Sequence, residues 1–212
     1  LEANSEQLLN KITYPYIGKF GIGDIPESFA YGKGAMYFGD NNKGVYCRLS
    51  NQGITPLSVI YQCNSFFISK MKAYNNSLNN GYGETGQSYT GNPTMYATFN
   101  ENVNRVVICF EEINRYNADG DLIFHQDPYT ITFNEARDSS EGFESFMSYH
   151  PEMLGCLNNL MFMLKQGYFW KQEGGYFCNF FNYQYGASIK QVFNDNVIIK
   201  KTYQAISEYG NQ

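Results

Sequence analysis

The chain has 212 residues, of which 43% are hydrophobic and 17% aromatic, while only 17% are charged, against roughly 25% in an ordinary soluble domain. A net charge of −5 with scattered Lys and Arg argues against a nucleic-acid reader, which carries a basic patch, and no run approaches the roughly 18 apolar residues of a membrane-spanning helix. The length suits one domain or a large piece of one, and abundant Tyr, Phe and Asn with few charges favour strands and turns over helices.

In chain order, Ser5 to Ile12 reads as a short helix with Ser5 as its cap. Gly18, Gly21 and Gly23 with Pro15 and Pro26 read as a loop. A hairpin follows at 34–39 and 45–50, joined by Gly39-Asp40-Asn41-Asn42-Lys43-Gly44. In its second strand Val45, Cys47 and Leu49 alternate with Tyr46, Arg48 and Ser50, and the first set is the face expected to be buried. Gly53-Ile54-Thr55-Pro56 reads as the end of this unit, and Leu57 to Tyr61 as another short strand. The period then changes. Phe67, Met71, Tyr74 and Leu78 form an apolar stripe that predicts a helix over 65–79, capped by Asn64 or Ser65 and stopped by Asn79-Asn80-Gly81. Residues 80–94, rich in Gly, Asn, Ser and Thr, read as a loop.

From residue 95 the pattern is almost all strand: 95–99, 105–111, 121–125, 129–134 and 143–149, then 160–165, 168–172, 176–181, 187–193 and 197–203. Asn117-Ala118-Asp119-Gly120 reads as a turn, and Lys165-Gln166-Gly167 and Glu173-Gly174-Gly175 as tight hairpin turns. Short strands in consecutive meanders predict a mainly β fold of antiparallel meander sheets, with blade-like groups of about four strands as in a partial β-propeller, and one inserted helix. The expected organisation is a single domain, or a fragment of a larger propeller-containing protein. The chain begins at Leu1 rather than Met and shows no signal peptide, so a fragment or a processed product is expected.

Candidate chemistry is sparse. The segments 39–44 and 117–121 resemble pieces of calcium loops but lack the alternating ligand frame and the distant bidentate Glu. Their residues also supply the positive φ of hairpin turns, which is the favoured reading. Gly21-Ile22-Gly23 and Gly32-Lys33-Gly34 lack the context of phosphate loops and read as turns. His125 and His150 are the only histidines. Neither has metal-ligand spacing and both read as structural or surface groups, with a Cys–His pair made across the fold left open. Cys47, Cys63, Cys109, Cys156 and Cys178 form an odd, dispersed set that reads as buried free thiols in a reducing compartment. Tyr168, Phe169, Trp170, Tyr176 and Phe177 read as core or interface, with a sugar-stacking platform as the alternative. No catalytic, metal or cofactor residues are assigned, and an enzyme is not expected.

The stretch Gly44-Val45-Tyr46-x-Arg48-Leu49-Ser50-x-x-Gly53-Ile54-x-x-Leu57-Ser58, with Phe66-Phe67 after it, resembles a recurrent blade motif of tail nozzle or muzzle proteins of short-tailed, crAss-like bacteriophages. Further stretches resemble the same family in order: Tyr129 to Glu135, Phe143 to Tyr149 with Pro151-Glu152, Leu157-Asn158-Asn159, and Tyr185 to Asn194. The resemblance implies a virion structural protein, part of the DNA-ejection conduit, with β-propeller-like parts. It implies homo-oligomers and other tail proteins as partners, with no sequence-specific nucleic-acid binding and no membrane. It carries over no catalytic residues. The alternative is a secreted, β-rich glycan-binding module of a gut bacterium.

Overall fold

The computed structural model describes residues 19–79, 88–90, 95–117, 119–134, 142–172 and 174–186, the side chains of 74–79 and 88–90 apart. The expected helix at 5–12 and the expected strands at 187–193 and 197–203 lie outside the described residues.

The chain is mainly β and every strand pairing is antiparallel. After a 3₁₀ turn at Pro26–Ser28, the first sheet is a meander of β1 (Ala30–Gly32), β2 (Ala35–Asp40), β3 (Val45–Ser50) and β4 (Gly53–Pro56). The expected hairpin is β2–β3, in register from Met36 opposite Leu49 to Asp40 opposite Val45. Lys33-Gly34 joins β1 to β2 with both residues at positive φ (49° and 76°), the signature of the type I′ turn that matches strand twist.

Two readings of this region are corrected. Gly53–Pro56 is not only a terminator; it pairs with β3 as the fourth strand. Leu57 to Tyr61 is not a strand but a helical turn, α1 (Leu57–Ile60). Pro56 ends the ladder, Tyr61 N–H returns to the Leu57 carbonyl at 2.9 Å, and buried Ser58 accepts a hydrogen bond from Tyr46 N–H at 3.1 Å. The Ser58 hydroxyl thus supplies an acceptor next to where the strand runs out, and the chain is free to turn.

The predicted helix is present as α2 (Asn64–Asn79). It begins at Asn64 itself, and Phe67 N–H bonds the Cys63 carbonyl at 3.2 Å, so Cys63 rather than Asn64 or Ser65 stands at the boundary. Phe67 and Met71, the first two residues of the predicted stripe, are fully buried. β5 (Ser88–Thr90) lies inside the stretch expected to be loop.

The second sheet contains β6 (Met95–Asn100), β7 (Arg105–Phe110), β10 (Tyr129–Asn134) and β11 (Phe143–Met147), in the spatial order β11-β10-β7-β6. Between β7 and β10 the chain makes an excursion. There β8 (Ile113–Tyr116), a strand with no sequence expectation, pairs with β5 and with β9 (Leu122–Gln126). The third sheet is β12 (Met153–Leu157), β13 (Leu160–Lys165) and β14 (Tyr168–Lys171), again a meander. Its two hairpin turns, Asn158-Asn159 and Gln166-Gly167, have positive φ at both positions. The expected strand at 176–181 shrinks to β15 (Asn179–Phe180), paired with β16 (Tyr183–Gln184). Gly174-Gly175 therefore does not join two adjacent strands.

The three sheets stack face to face in chain order. On the second sheet, Met95, Ala97, Phe99, Val106, Ile108, Phe110, Ile131 and Phe133 share one face by register. They form the main core with Tyr37 and Tyr46 of the first sheet and with Phe67 and Met71 of α2. Aromatic rings fill it: Tyr37 stacks on Phe99 at 6.0 Å, and Phe67 meets Tyr46 and Phe110 at 5.8 Å each. The opposite face presents Val107 and Cys109, which pack on Tyr149, Leu154, Met161 and Met163 of the third layer. Thus β7, buried on both faces, reads as a continuous apolar run.

The expected inward face of β3 needs correction on the same ground. Tyr46, assigned outward by alternation, points into the main core and is completely buried. Val45 and Cys47 are buried too, but on the outer face, in a smaller cluster with Phe38, Phe20 and Ile22. The segment 20–24 covers that face, so both sides of β3 are shielded.

Candidate interaction surfaces

The suspected turns fold by local side-chain capping. Asp40, at the end of β2, is buried. Its carboxylate accepts the backbone N–H groups of Gly21 and Lys43, each at 3.1 Å, and faces the Lys43 ammonium at 3.4 Å. Asn41 Oδ1 accepts Asp24 N–H at 3.2 Å. These two residues tie the covering segment to the first sheet. At the β8–β9 turn, Asn117 Oδ1 accepts the N–H groups of Asp119 (3.0 Å) and Asp121 (2.7 Å), a side-chain mimic of a backbone turn. Among the described residues no three His, Cys, Asp or Glu side chains converge as a metal site.

His150 lines a cleft of about 310 Å³ together with Glu111, Glu112, Asn114, Glu152 and Lys165 among others. His125 is held from both sides, its Nδ1 at 2.6 Å from Asn114 Oδ1 and its Nε2 at 2.9 Å from Asp127. His150 Nδ1 lies 3.3 Å from Thr130 Oγ1, and that hydroxyl donates to the Tyr149 carbonyl. Register places Thr130 opposite Cys109, whose sulfur is 3.3 Å from the same hydroxyl. The fold therefore brings a thiol and an imidazole to one threonine, which sequence spacing did not show. Burial pushes the Cys109 thiol up to about 12. Burial, and then the Lys165 ammonium, push His150 below its ordinary value. A thiol held protonated and an imidazole held neutral do not form the thiolate–imidazolium pair of an activated cysteine.

All five cysteines are free, but the expectation that all are buried is corrected. Cys47 and Cys109 are enclosed, whereas Cys63, Cys156 and Cys178 are half-buried. Burial also raises Cys47 to about 12. Reactivity follows thiolate population and access. Native-state alkylation followed by mass spectrometry is therefore expected to label Cys156 and Cys178 first. Cys47 and Cys109 are expected to react only on unfolding; early labelling of Cys109 contradicts the packing described above.

The third sheet has two unlike faces. Leu154, Met161 and Met163 point toward the second sheet. The alternate residues Met153, Leu157, Leu160, Phe162, Leu164 and Phe169 share the other face by register. Exposure there is large for apolar groups: 54% at Met153, 66% at Leu157 and 79% at Phe169. A sheet end facing water ordinarily alternates to polar residues; this one is mostly apolar, with Lys171 opposite Phe162 as its charged member. Beyond β14, Tyr176 and Phe177 are 85% and 95% exposed, so of the expected core-or-interface role for the 168–177 aromatics neither takes the core part. Trp170 faces inward and meets Phe181 edge-on at 5.7 Å.

No protein-family model matches the chain, and no curated protein is significantly similar to it.

Proposed function

We propose that this chain is a structural part of a short-tailed phage tail, of the nozzle or muzzle type, contributing blade-like sheets to the DNA-ejection conduit. The observation that carries the reading is the stack of sequential meander sheets ending in an apolar outer face on β12–β14. Sheets that stack face to face bury each face on the next, as propeller blades do. The last described face has the composition of an interface core, rich in Met, Leu and Phe and poor in charge. The phage-like stretches fall on this framework: 44–58 covers β3, β4 and the start of α1, while 129–135 and 143–149 begin on β10 and β11. Leu157-Asn158-Asn159 closes β12 into its turn. A net charge of −5 also suits a wall that DNA passes, because a basic lining holds phosphate through counterion release.

On this reading the outer face takes a further sheet, supplied by a second copy or by an adjoining tail protein, and the site of action is the virion. The test is light scattering on the chain and on a Leu157→Glu, Phe169→Glu variant. Both positions are exposed, so the variant is expected to keep its circular dichroism spectrum while association with itself or with co-expressed tail proteins is lost. A chain that is monomeric with every such partner, or a variant that associates as before, overturns the reading.

A further inference from the structure

The aromatic end of the third layer encloses a pocket of about 220 Å³, lined by Trp170, Lys171, Tyr176, Asn179, Phe181 and Asn182 among others. Drug-sized ligands occupy roughly 300–1,000 Å³, so this space suits one small ring. Two features mark it as built. The backbone is held in left-handed conformations at Gly174, Gly175, Cys178, Phe181 and Asn182, and positive φ is a genuine outlier for a bulky residue such as Phe181. Phe181-Asn182 is the turn between β15 and β16, and the ribbon is pinned by Phe181 against Trp170 and by Phe180 against Tyr149 at 4.7 Å. The floor is fixed as well: Trp170 Nε1 donates to the Lys165 carbonyl at 3.4 Å, and Gln172 Nε2 donates to the Tyr149 hydroxyl at 3.0 Å.

What remains for a ligand is aromatic surface beside amides. The Tyr176 ring is almost wholly exposed, and the side-chain amides of Asn179 and Asn182 have no hydrogen bond among the described residues. The described lining includes one basic residue, Lys171, and no Asp or Glu. We infer that the pocket binds an uncharged sugar residue of a glycan. A pyranose offers a C–H face that packs on the electron-rich face of an aromatic ring. Its hydroxyl rim needs paired donors and acceptors, which an Asn amide supplies together. A nucleobase also stacks, but nucleic-acid affinity comes mainly from neutralised phosphates, and one lysine on a chain of net charge −5 offers little of that. The assembly role makes no use of this pocket, so the inference stands apart from it.

Trp170 is the only tryptophan in the chain and lines the pocket, so intrinsic fluorescence reports on this site. The full chain is titrated with neutral oligosaccharides of hexoses, N-acetylhexosamines and deoxyhexoses. At least one is expected to produce a saturable change in emission. Tyr176→Ala is expected to weaken it about tenfold, a stacking-sized loss. Asn182→Gly, which preserves the positive φ of the turn, is expected to weaken it about threefold through the lost amide. Both variants are expected to associate as the unaltered chain does in light scattering, which separates this result from the assembly test. The inference is overturned if no sugar produces a saturable response at tens of millimolar, or if neither variant alters it. It is equally overturned if a single-stranded oligonucleotide binds here and the sugars do not.

Discussion

Replacing Phe67 by alanine is expected to lower the unfolding free energy by about 3–5 kcal/mol, the range for an aromatic removed from a tight core. Phe67 is completely buried and sits on the first turns of α2, where the helix is wedged against both of the first two sheets. Its ring meets Tyr46 of β3 at 5.8 Å, Phe110 of β7 at 5.8 Å and Phe143 of β11 at 5.2 Å, and Phe66 beside it at 5.5 Å. Alanine leaves a void bordered by rigid rings on three separate elements, which cannot all collapse into it. Chemical denaturation with circular dichroism measures the effect. The exposed Val59→Ala, on the neighbouring turn, is the control and is expected to change stability by about 0.5 kcal/mol or less. A Phe67→Ala loss no larger than the control's refutes the position of α2.

Gly44→Ala is the second large effect, at about 2–4 kcal/mol. Two costs combine there. The backbone of Gly44 is left-handed, with φ +67°, and an added Cβ stands 2.8 Å from the Ile68 Cα of α2. The conformational part is about 1–2 kcal/mol; the rest is displacement of a helix backbone, which cannot swing aside as a side chain does. Gly34→Ala separates the two, because Gly34 has φ +76° but nothing within 4 Å of its Cβ position. It is expected to lose only the conformational part. Equal losses at the two glycines show that the helix does not press on the β2–β3 turn.

The parts of the fold that were legible in the sequence are those specified locally. The β2–β3 hairpin is written by an apolar run, an Asn-rich turn and an alternating second strand, and α2 by a stripe whose period differs from everything around it. What sequence did not yield depends on neighbours. Tyr46 looked like an outward residue because alternation ranks faces by hydrophobicity; here both faces are buried, and the aromatic one meets the larger core. Leu57 to Tyr61 has strand composition, but Ser58 is needed to satisfy Tyr46 N–H, and that demand comes from another strand. β12 was missed because Met153-Leu154-Gly155-Cys156-Leu157 shows no polar alternation. Its outward residues Met153 and Leu157 are as apolar as the inward Leu154. The I′ turn at Phe181-Asn182 has no readable signal, since phenylalanine is a poor residue for positive φ and is held there by Trp170. The Cys109–Thr130–His150 grouping exists only through the register of β7 against β10. The pocket depends likewise on where a two-residue ribbon lands.

The layers follow one another in space in the order in which they follow one another along the chain. The first and third sheets are each completed by strands adjacent in sequence, and the second by strands interrupted only by the β8–β9 excursion. A polypeptide emerging from the ribosome amino-terminus first can therefore finish one sheet before the next arrives, each new sheet condensing on a surface already in place. The apolar faces are hidden in sequence, and the nascent chain carries one growing end at a time. Of these three layers the outer face of β12–β14 is the last to be made, and it is already in place when the β15–β16 ribbon follows.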